Sequence, residues 1–490
     1  MTPDEFAAKA FHAYDIRIDA DDLTEYFALR LYKAQARYFK NVLHSSKIVL
    51  CRDTRKSGAR LLEAALDFFC KAGFQVDVNV LPVSTCQFYF SCMKRPDSCG
   101  IMFTASHNPA HYAGLKIVGP MCLPIAADIG PEGGLSAIKK AFLQDDNLSE
   151  ECAGGSVCVF NDAELYIDSC MTRAGIGEGS LSGIRVCADF LCGSAGSEIA
   201  CALKKAGVEL TVRNIVPDGD FPAGSPNPVI KANIQKTLDF MSRRSGAFDF
   251  GLFFDGDGDR IDICTDRAEE ISPSLIMLFI AGALGLSGEN ARIGIDSKAS
   301  PYIAWELKKA GFEPVLIPNG HSKIKDLFLR AGVQAAVEES AHYYITSSLS
   351  PQKMPRPVES TLFICLLFLS EWKKNKDGFL KLLELQRNTY RKREWSHSYA
   401  CDAERSLTLE ESESFFCDRG YEAVKTLFTG EPLGAVLLEK KWDGGNWCRI
   451  AQRSSESEQG LARWMVSSSD KGELDFAAEN IEKIALKRAK

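Results

Sequence analysis

The sequence predicts an α/β protein: three tandem related α/β domains with mixed sheets, and a smaller C-terminal α+β domain, around a central cleft. Two observations carry this expectation. One is length, since 490 residues correspond to roughly three units of about 150. The other is an internal repeat. Lys-Ala-Gly recurs within FCKAGFQVDV (Phe69–Val78), LKKAGVELTV (Leu203–Val212) and LKKAGFEPVL (Leu307–Leu316).

In each copy an amphipathic helix runs into Lys-Ala-Gly and an extended apolar segment follows. Gly73, Gly207 and Gly311 fall where a helix C-terminus needs a left-handed residue, and the lysines suit that end of the dipole. Before each helix comes a short strand ending in an acid: IVLCRD to Asp53, IRVCAD to Asp189, RIGID to Asp296. Strand, helix, strand in that order implies parallel pairing with a right-handed crossover. After about Leu385 the pattern lapses into the charged stretch RNTYRKREWSHS with no fourth copy. The smaller α+β domain is placed there.

Composition narrows the class. At 46% hydrophobic and 25% charged residues, a disordered, collagenous or fibrous chain is excluded. Lys and Arg number 58 against 65 Asp and Glu, a net charge of −7, so no general attraction to nucleic acid or anionic membrane is indicated. The apolar runs near Leu275–Leu286 and Thr361–Leu369 are too short to span a bilayer. MTPDEFAAKA lacks the basic-then-apolar pattern of a secretory signal. Seventeen cysteines, an odd number without a CxxC pair, read as reduced thiols rather than a disulfide frame. A cytoplasmic enzyme is expected.

Chemistry concentrates in a few segments. Thr104-Ala-Ser-His-Asn-Pro109 follows the apolar strand segment GIMF, so Ser106 stands on a turn, where His107 and the later Lys116 can place positive charge near it. A serine needs such help to act as a nucleophile. Asp255-Gly-Asp257-Gly-Asp259-Arg260 follows FDFGLFF; alternate aspartates can turn three carboxylates to one point, a ligand set for Mg²⁺. An EF-hand loop would need Gly and Glu where Arg260 and Asp266 stand. Arg260 reads as a partner for phosphate. Pro318-Asn-Gly-His-Ser-Lys323 opens a helix, and Glu338-Glu-Ser-Ala-His342 ends the strand VQAAV; both could handle a polyhydroxylated, phosphorylated ligand. Arg453-Ser-Ser-Glu-Ser457 offers a guanidinium and hydroxyls to phosphate.

Together these segments resemble the α-D-phosphohexomutase superfamily, and within it the bacterial phosphomannomutase/phosphoglucomutase branch, in the family's motif order. FHAYDIR (Phe11–Arg17) is similar to its F-x-A-Y-D-I-R signature, which brings in Tyr14 and Arg17. TASHNPAHYAGLKIVG resembles its phosphoserine loop, and PDGDFPAGSPNP (Pro217–Pro228) a further family segment. The resemblance implies that Ser106 carries a transferable phosphate beside His107, with Lys116 facing the reacting oxygens. It implies metal ligation by Asp255, Asp257 and Asp259 together with Ser106. It also places Arg260, Lys298, Gly320, His321, Glu338 and Ser340 at the sugar phosphate. Arg453, Ser455 and Ser457 stand in the phosphate loop. The implied domains are 1–150 (phosphoserine loop), 151–266 (metal loop), 267–385 (sugar binding) and 386–490 (phosphate binding).

There are departures. Glu456 replaces a neutral residue in the phosphate loop, the later arginine (Arg463) is displaced by one position, and Ile18 replaces a glycine. The resemblance implies interconversion of mannose 6-phosphate and mannose 1-phosphate, with the glucose phosphates also accepted. Mg²⁺ is the implied cofactor and hexose 1,6-bisphosphate the activator and intermediate. Lys116 and His321 are the candidates for moving the hydroxyl proton. Partners are small-molecule sugar phosphates, without nucleic acid or membrane, and the protein is expected to be a monomer or weak dimer. Phosphoglucomutase or phosphoglucosamine mutase activity is the alternative, and a non-catalytic sugar-phosphate-binding member is a further one.

Overall fold

Backbone pairing follows the repeat. In the first copy, strands Lys47–Arg52 and Gln75–Pro82 pair in parallel across the helix Lys56–Lys71. The second joins Arg185–Asp189 to Glu209–Arg213 across Gly196–Lys205, again in parallel. The third joins Arg292–Asp296 to Glu313–Ile317 across Pro301–Lys309. Gly73, Gly207 and Gly311 have φ of 79°, 85° and 89°, the left-handed geometry that ends a helix without a Cβ clash.

The acids at the strand ends share a local role. Asp53 Oδ1 accepts the N–H of Arg55 at 2.8 Å, Asp189 Oδ1 that of Leu191 at 3.0 Å, and Asp296 Oδ1 that of Lys298 at 2.9 Å. Each side chain thus turns the chain off its strand by bonding two residues ahead.

This computed structural model describes residues 1–144, 154–347, 356–454 and 460–489. The fold is α/β with mixed sheets. Two compact units divide the chain. The first comprises Met1–Pro273, Gly320–Arg330 and Ser340–Lys374; the second comprises Ser274–Asn319, Ala331–Glu339 and Asn375–Lys490.

In the first unit one sheet orders Ile16–Asp19, Tyr112–Gly119, Cys99–Phe103, Lys47–Arg52, Gln75–Pro82 and Ser156–Val159. Its second sheet orders Glu270–Ile271, Ile261–Thr265, Phe250–Phe254, Arg185–Asp189 and Glu209–Arg213. In both, parallel strands run out to one edge and antiparallel strands form the other. The strands Tyr343–Ser347 and Arg356–Glu359 add an antiparallel pair. The Thr361–Leu369 run lies in the helix Thr361–Lys374, buried on all sides over Thr361–Ser370. That explains its continuous apolar character without a bilayer. Among the described residues no helix is long and apolar enough to cross a membrane, and every described cysteine is free.

In the second unit Arg292–Asp296 sits between Glu313–Ile317 and Val333–Val337, all parallel. The C-terminal sheet is antiparallel throughout, in the order Tyr390–Ser398, Leu461–Ser468, Asn446–Ser454, Pro432–Trp442, Glu422–Thr426. The helices Asp402–Cys417 and Lys471–Ala485 accompany it. The charged stretch where the repeat lapses is therefore a strand at a sheet edge, where charge blunts unwanted pairing.

The three repeat glycines differ in surroundings, which yields a stability test. A Cβ on Gly311 would meet nothing within 4 Å, whereas one on Gly207 would lie 2.5 Å from Ser182 Oγ and 2.9 Å from Gly179 Cα. Gly311→Ala is expected to cost about 1 kcal/mol from conformation alone. Gly207→Ala should cost roughly twice that, because backbone must shift as well. Urea unfolding followed by circular dichroism checks the order.

Candidate active site

The turn bearing Ser106 leaves the strand Cys99–Phe103 and returns through Tyr112–Gly119. Ser106 is buried with φ of 54°, a strained state for a residue with a Cβ that surrounding bonds must enforce. Arg55 supplies most of them. Its Nη2 donates to Ser106 O at 2.7 Å and Asn108 O at 2.5 Å, and its Nη1 to Pro109 O at 2.6 Å and Tyr112 O at 3.2 Å. Its Nε donates to Asp53 Oδ2 at 3.1 Å. Thr104 Oγ1 accepts the Ser106 N–H at 2.8 Å, and Thr104 also hydrogen-bonds Asp53.

Ser106 Oγ lies 3.1 Å from His107 Nδ1. Burial, then Arg260 and Arg17, push the His107 imidazole well down, so it is neutral. Arg17 reaches the same loop, donating from Nη1 to Asn108 Oδ1 at 3.1 Å while Asp15 Oδ2 takes its Nη2 at 2.6 Å. Burial opposes the Arg17 charge; Asp15, Asp257 and Asp259 outweigh it.

Asp255, Asp257 and Asp259 follow the buried strand Phe250–Phe254 and are themselves fully buried. Gly258 takes φ of 69° between them. Gly256 lies against the Ser106 turn: a Cβ there would be 2.9 Å from Ser106 O. Lys116 Nζ donates to Asp257 Oδ2 at 2.8 Å and Asp259 Oδ2 at 2.5 Å. Burial works against the Lys116 charge, but the two carboxylates raise its pKa above the ordinary lysine value. Asp255 is pushed well up by burial and by its two neighbours. Asp259 is held down despite burial by Lys116 and Arg260.

One oxygen of each aspartate, Asp255 Oδ2, Asp257 Oδ1 and Asp259 Oδ1, is buried without a hydrogen-bond partner. One ligand atom from each of the three residues lies within 4.8 Å of the others. Orphaned buried carboxylate oxygens are costly, and a hard divalent cation removes the cost with this donor set. The residues fit Mg²⁺.

Arg260 Nε donates to His342 Nε2 at 2.9 Å and stands 3.7 Å from Asp255 Oδ2. His342 Nδ1 faces Asp259 Oδ1 at 3.6 Å. Its imidazole is neutral, lowered by burial and Arg260. Ser340 is two residues before it, on the same return to the aspartate loop, where Ala341 O accepts the Ile261 N–H at 3.2 Å.

The helix His321–Ala331 begins at the next predicted residue. Gly320 has φ of 98°, and a Cβ on it would lie 2.1 Å from Tyr14 Cζ. Only glycine lets the Tyr14 ring approach. The Tyr14 and His321 rings stand 5.8 Å apart. Burial, Lys325 and Lys116 keep His321 neutral, and its Nε2 is buried without a hydrogen-bond partner.

Those residues all belong to the first unit; Lys298, Glu338 and Arg453 form a separate group in the second. Lys298 Nζ lies 3.3 Å from Asp296 Oδ2. Burial disfavours its charge, and Asp296 and Glu338 restore it. Arg453 pairs with Glu394 at 3.0 Å, and Arg463 Nη1 donates to the same carboxylate at 3.0 Å. Arg463, out of step with the family spacing in sequence, is directly opposite Arg453 across the sheet. Ser455, Glu456 and Ser457 lie outside the described residues.

Sequence reasoning missed the supports. Arg55 was legible only as a neighbour of the repeat acid Asp53. Thr85 bonds Asp257 twice, Oγ1 to Oδ2 at 2.7 Å and N to the carbonyl at 2.8 Å. Beside it Ser84 caps the helix Thr85–Lys94 and donates to the buried Glu198 at 2.5 Å. His342 appeared in the sequence motif without a role. None of these contacts has a fixed spacing in the chain, so no sequence signal could have announced them.

Residues 8–132 match phosphoglucomutase/phosphomannomutase alpha/beta/alpha domain I, and residues 164–268 match domain II. A phosphomannomutase of Salmonella montevideo is 31% identical over 346 residues, covering 68% of this chain and 72% of that protein. A phosphoglucomutase of Neisseria gonorrhoeae is 28% identical over 348 residues, covering 68% and 70%. A phosphoglucomutase/phosphomannomutase family structure from Burkholderia thailandensis superposes with TM-score 0.76 at 22% identity, over 97% of this chain and 96% of that one. The chain belongs to the phosphoglucomutase/phosphomannomutase family. It is an enzyme of the intramolecular phosphotransferase class.

Two outcomes are expected. Mg²⁺ should raise the thermal unfolding midpoint, by about 1 °C per kcal/mol of binding in a chain this size. Asp257→Asn should abolish most of that rise, read by differential scanning fluorimetry without substrate.

The second concerns Glu198, whose carboxyl burial pushes up to about 8 against the Ser84 hydrogen bond. The folded state therefore keeps a proton that the unfolded chain releases above about pH 4.3. Its contribution is full below that value and is lost as pH rises to 8, by up to about 1.4 kcal/mol per pH unit. Glu198→Gln should remove this dependence; urea unfolding at pH 5 and pH 8 with equal losses in both proteins would refute it.

Proposed function

We propose that this protein is a phosphohexomutase interconverting mannose 6-phosphate and mannose 1-phosphate, and the glucose phosphates too, through a phosphoserine and hexose 1,6-bisphosphate. The observation that supports it most is one arrangement. Ser106, on a strained turn tied down by Arg55, lies against a loop of three carboxylates whose orphaned oxygens call for a cation. The proposal includes Mg²⁺ as the cation, held by Asp255, Asp257, Asp259 and the phosphate of Ser106. It includes sugar or phosphate contacts by Tyr14, Arg260, Lys298, Gly320, Glu338, Ser340, Arg453, Ser455 and Ser457. A cytoplasmic location, the four domain boundaries at 150, 266 and 385, and a monomer or weak dimer complete it.

Bound Mg²⁺ would supply charge neutralisation to the phosphoryl oxygens. The chain does the rest. Arg55 and Arg17 hold the turn so that Ser106 Oγ stays in line, since displacement of a phosphoryl group depends on positioning. Lys116, kept charged by Asp257 and Asp259, stabilises developing negative charge. Proton transfer from the sugar hydroxyl falls to His321 rather than Lys116. His321 is neutral with Nε2 uncommitted, whereas the Lys116 ammonium is bound to two carboxylates. A base must have a lone pair to offer. The bisphosphorylated sugar then has to present its other phosphate to Ser106, which requires a grip that also lets go.

Ser106→Ala should reduce mutase turnover by at least about a thousandfold while leaving the far-ultraviolet circular dichroism unchanged. Intact mass of freshly purified protein should show a phosphorylated fraction that Ser106→Ala lacks. Coupled assays run with mannose 1-phosphate and glucose 1-phosphate as rivals decide the hexose. Near-full activity in the Ala protein overturns the reading.

A further inference from the structure

The arginine pair of the C-terminal sheet is already engaged by a carboxylate of the protein's own. Arg453 and Arg463 stand directly opposite on the strands Asn446–Ser454 and Leu461–Ser468. Like charges in that position repel. Glu394 resolves the conflict. Its Oε2 accepts from Arg453 Nη2 at 3.0 Å and Nε at 3.3 Å, and its Oε1 from Arg463 Nη1 at 3.0 Å. Both oxygens are used, and Oε1 also accepts from Arg453 Nη2 at 3.3 Å, so Arg453 spans the carboxylate while Arg463 takes one oxygen.

The backbone is shaped to deliver this side chain. The register of Tyr390–Ser398 against Leu461–Ser468 shifts between Lys392 and Trp395, and Glu394 lies inside that irregularity. Such a bulge re-aims a side chain that regular pairing would direct elsewhere. Burial alone would raise the Glu394 pKa; Arg453, Arg463 and Lys298 hold it down instead. The carboxylate therefore stays charged across the physiological range.

Two guanidiniums converging on two oxygens of one anion form the same receptor that a phosphate monoester requires. A phosphate dianion carries more charge than the carboxylate and can displace it. We propose that Glu394 is an internal stand-in for a ligand phosphate. It keeps Arg453 and Arg463 aligned while no phosphate is present, and it competes with that phosphate when one arrives. Identifying the ligand as the non-reacting phosphate of a hexose phosphate rests on the proposed function; the competition itself does not.

This competition weakens binding and speeds release, because the leaving phosphate is replaced at once by a tethered anion. A bisphosphate that must let go and turn between two transfers gains from that. The cost should appear in KM, since it applies to ground and transition states alike.

Inorganic phosphate alone is the probe, titrated calorimetrically into the full chain without sugar or metal. Glu394→Gln preserves shape and removes the competing charge, so it should bind phosphate about tenfold tighter. Without phosphate, its thermal midpoint should fall below that of the wild type, because the arginines repel; added phosphate should raise it by more than it raises the wild type. Should the Gln protein fail to fold, Glu394→Asp, which retains charge but shortens the arm, should bind phosphate about two- to threefold tighter. Replacing Arg463 by Ala should weaken phosphate binding in the wild-type background and cancel the gain in the Gln background. Equal or weaker phosphate binding in both Glu394 variants overturns the proposal. Absence of mutase turnover with these phosphate responses intact would instead refute only the proposed function.

Discussion

Three carboxylates packed inside a protein cannot all stay ionised unless positive charge is built around them. That requirement organises the first unit. Asp255, Asp257 and Asp259 are buried, and two of them share the Lys116 ammonium, while Arg260 approaches the third. Burial and its two neighbours still push the Asp255 carboxyl well up, and three oxygens are unsatisfied. A divalent cation is the group that completes this balance. The neutral state of His107, His321 and His342 follows from the same field. Each is buried among arginines and lysines that disfavour a further positive charge.

The three copies of the repeat have been put to different uses. All three strand-end aspartates accept the amide two residues ahead, so the backbone device is common. Their second oxygens diverge. Asp53 Oδ2 binds Arg55, the residue that ties down the Ser106 turn. Asp189 Oδ2 accepts from Thr237 Oγ1 at 2.5 Å, a structural bond from the strand end to the helix Lys231–Ser242. Asp296 Oδ2 accepts the Glu339 amide at 2.9 Å and pairs with Lys298, which brings the lysine and the Glu338 segment together. One turn-forming carboxylate thus serves as anchor, strut and charge partner.

In the second unit the same logic of compensated charge appears in an antiparallel setting. Arg453, Arg463 and Glu394 are brought together by register and a strand irregularity rather than by a loop motif. Cationic side chains intended for an exchangeable anion must be tolerated when that anion is absent, and a tethered carboxylate provides this at the expense of affinity.

What the sequence determined by itself was whatever depends on neighbours along the chain. Helix ends at Gly73, Gly207 and Gly311, the parallel strand–helix–strand frames, the turn carrying Ser106 and the alternating aspartates of 255–259 are local, because φ preference, hydrophobic period and side-chain reach act over a few residues. Tertiary structure alone decided which distant groups share a charge. Arg55 reaches a turn fifty-one positions away, Thr85 reaches Asp257 across one hundred and seventy-two, and Glu394 meets Arg463 across sixty-nine. The steric demand for glycine at 320 comes from the Tyr14 ring, which no local pattern reveals. Burial makes these pairings strong, and burial is a property of the folded chain: the same aspartates, histidines and arginines would be ordinary, solvated groups without it.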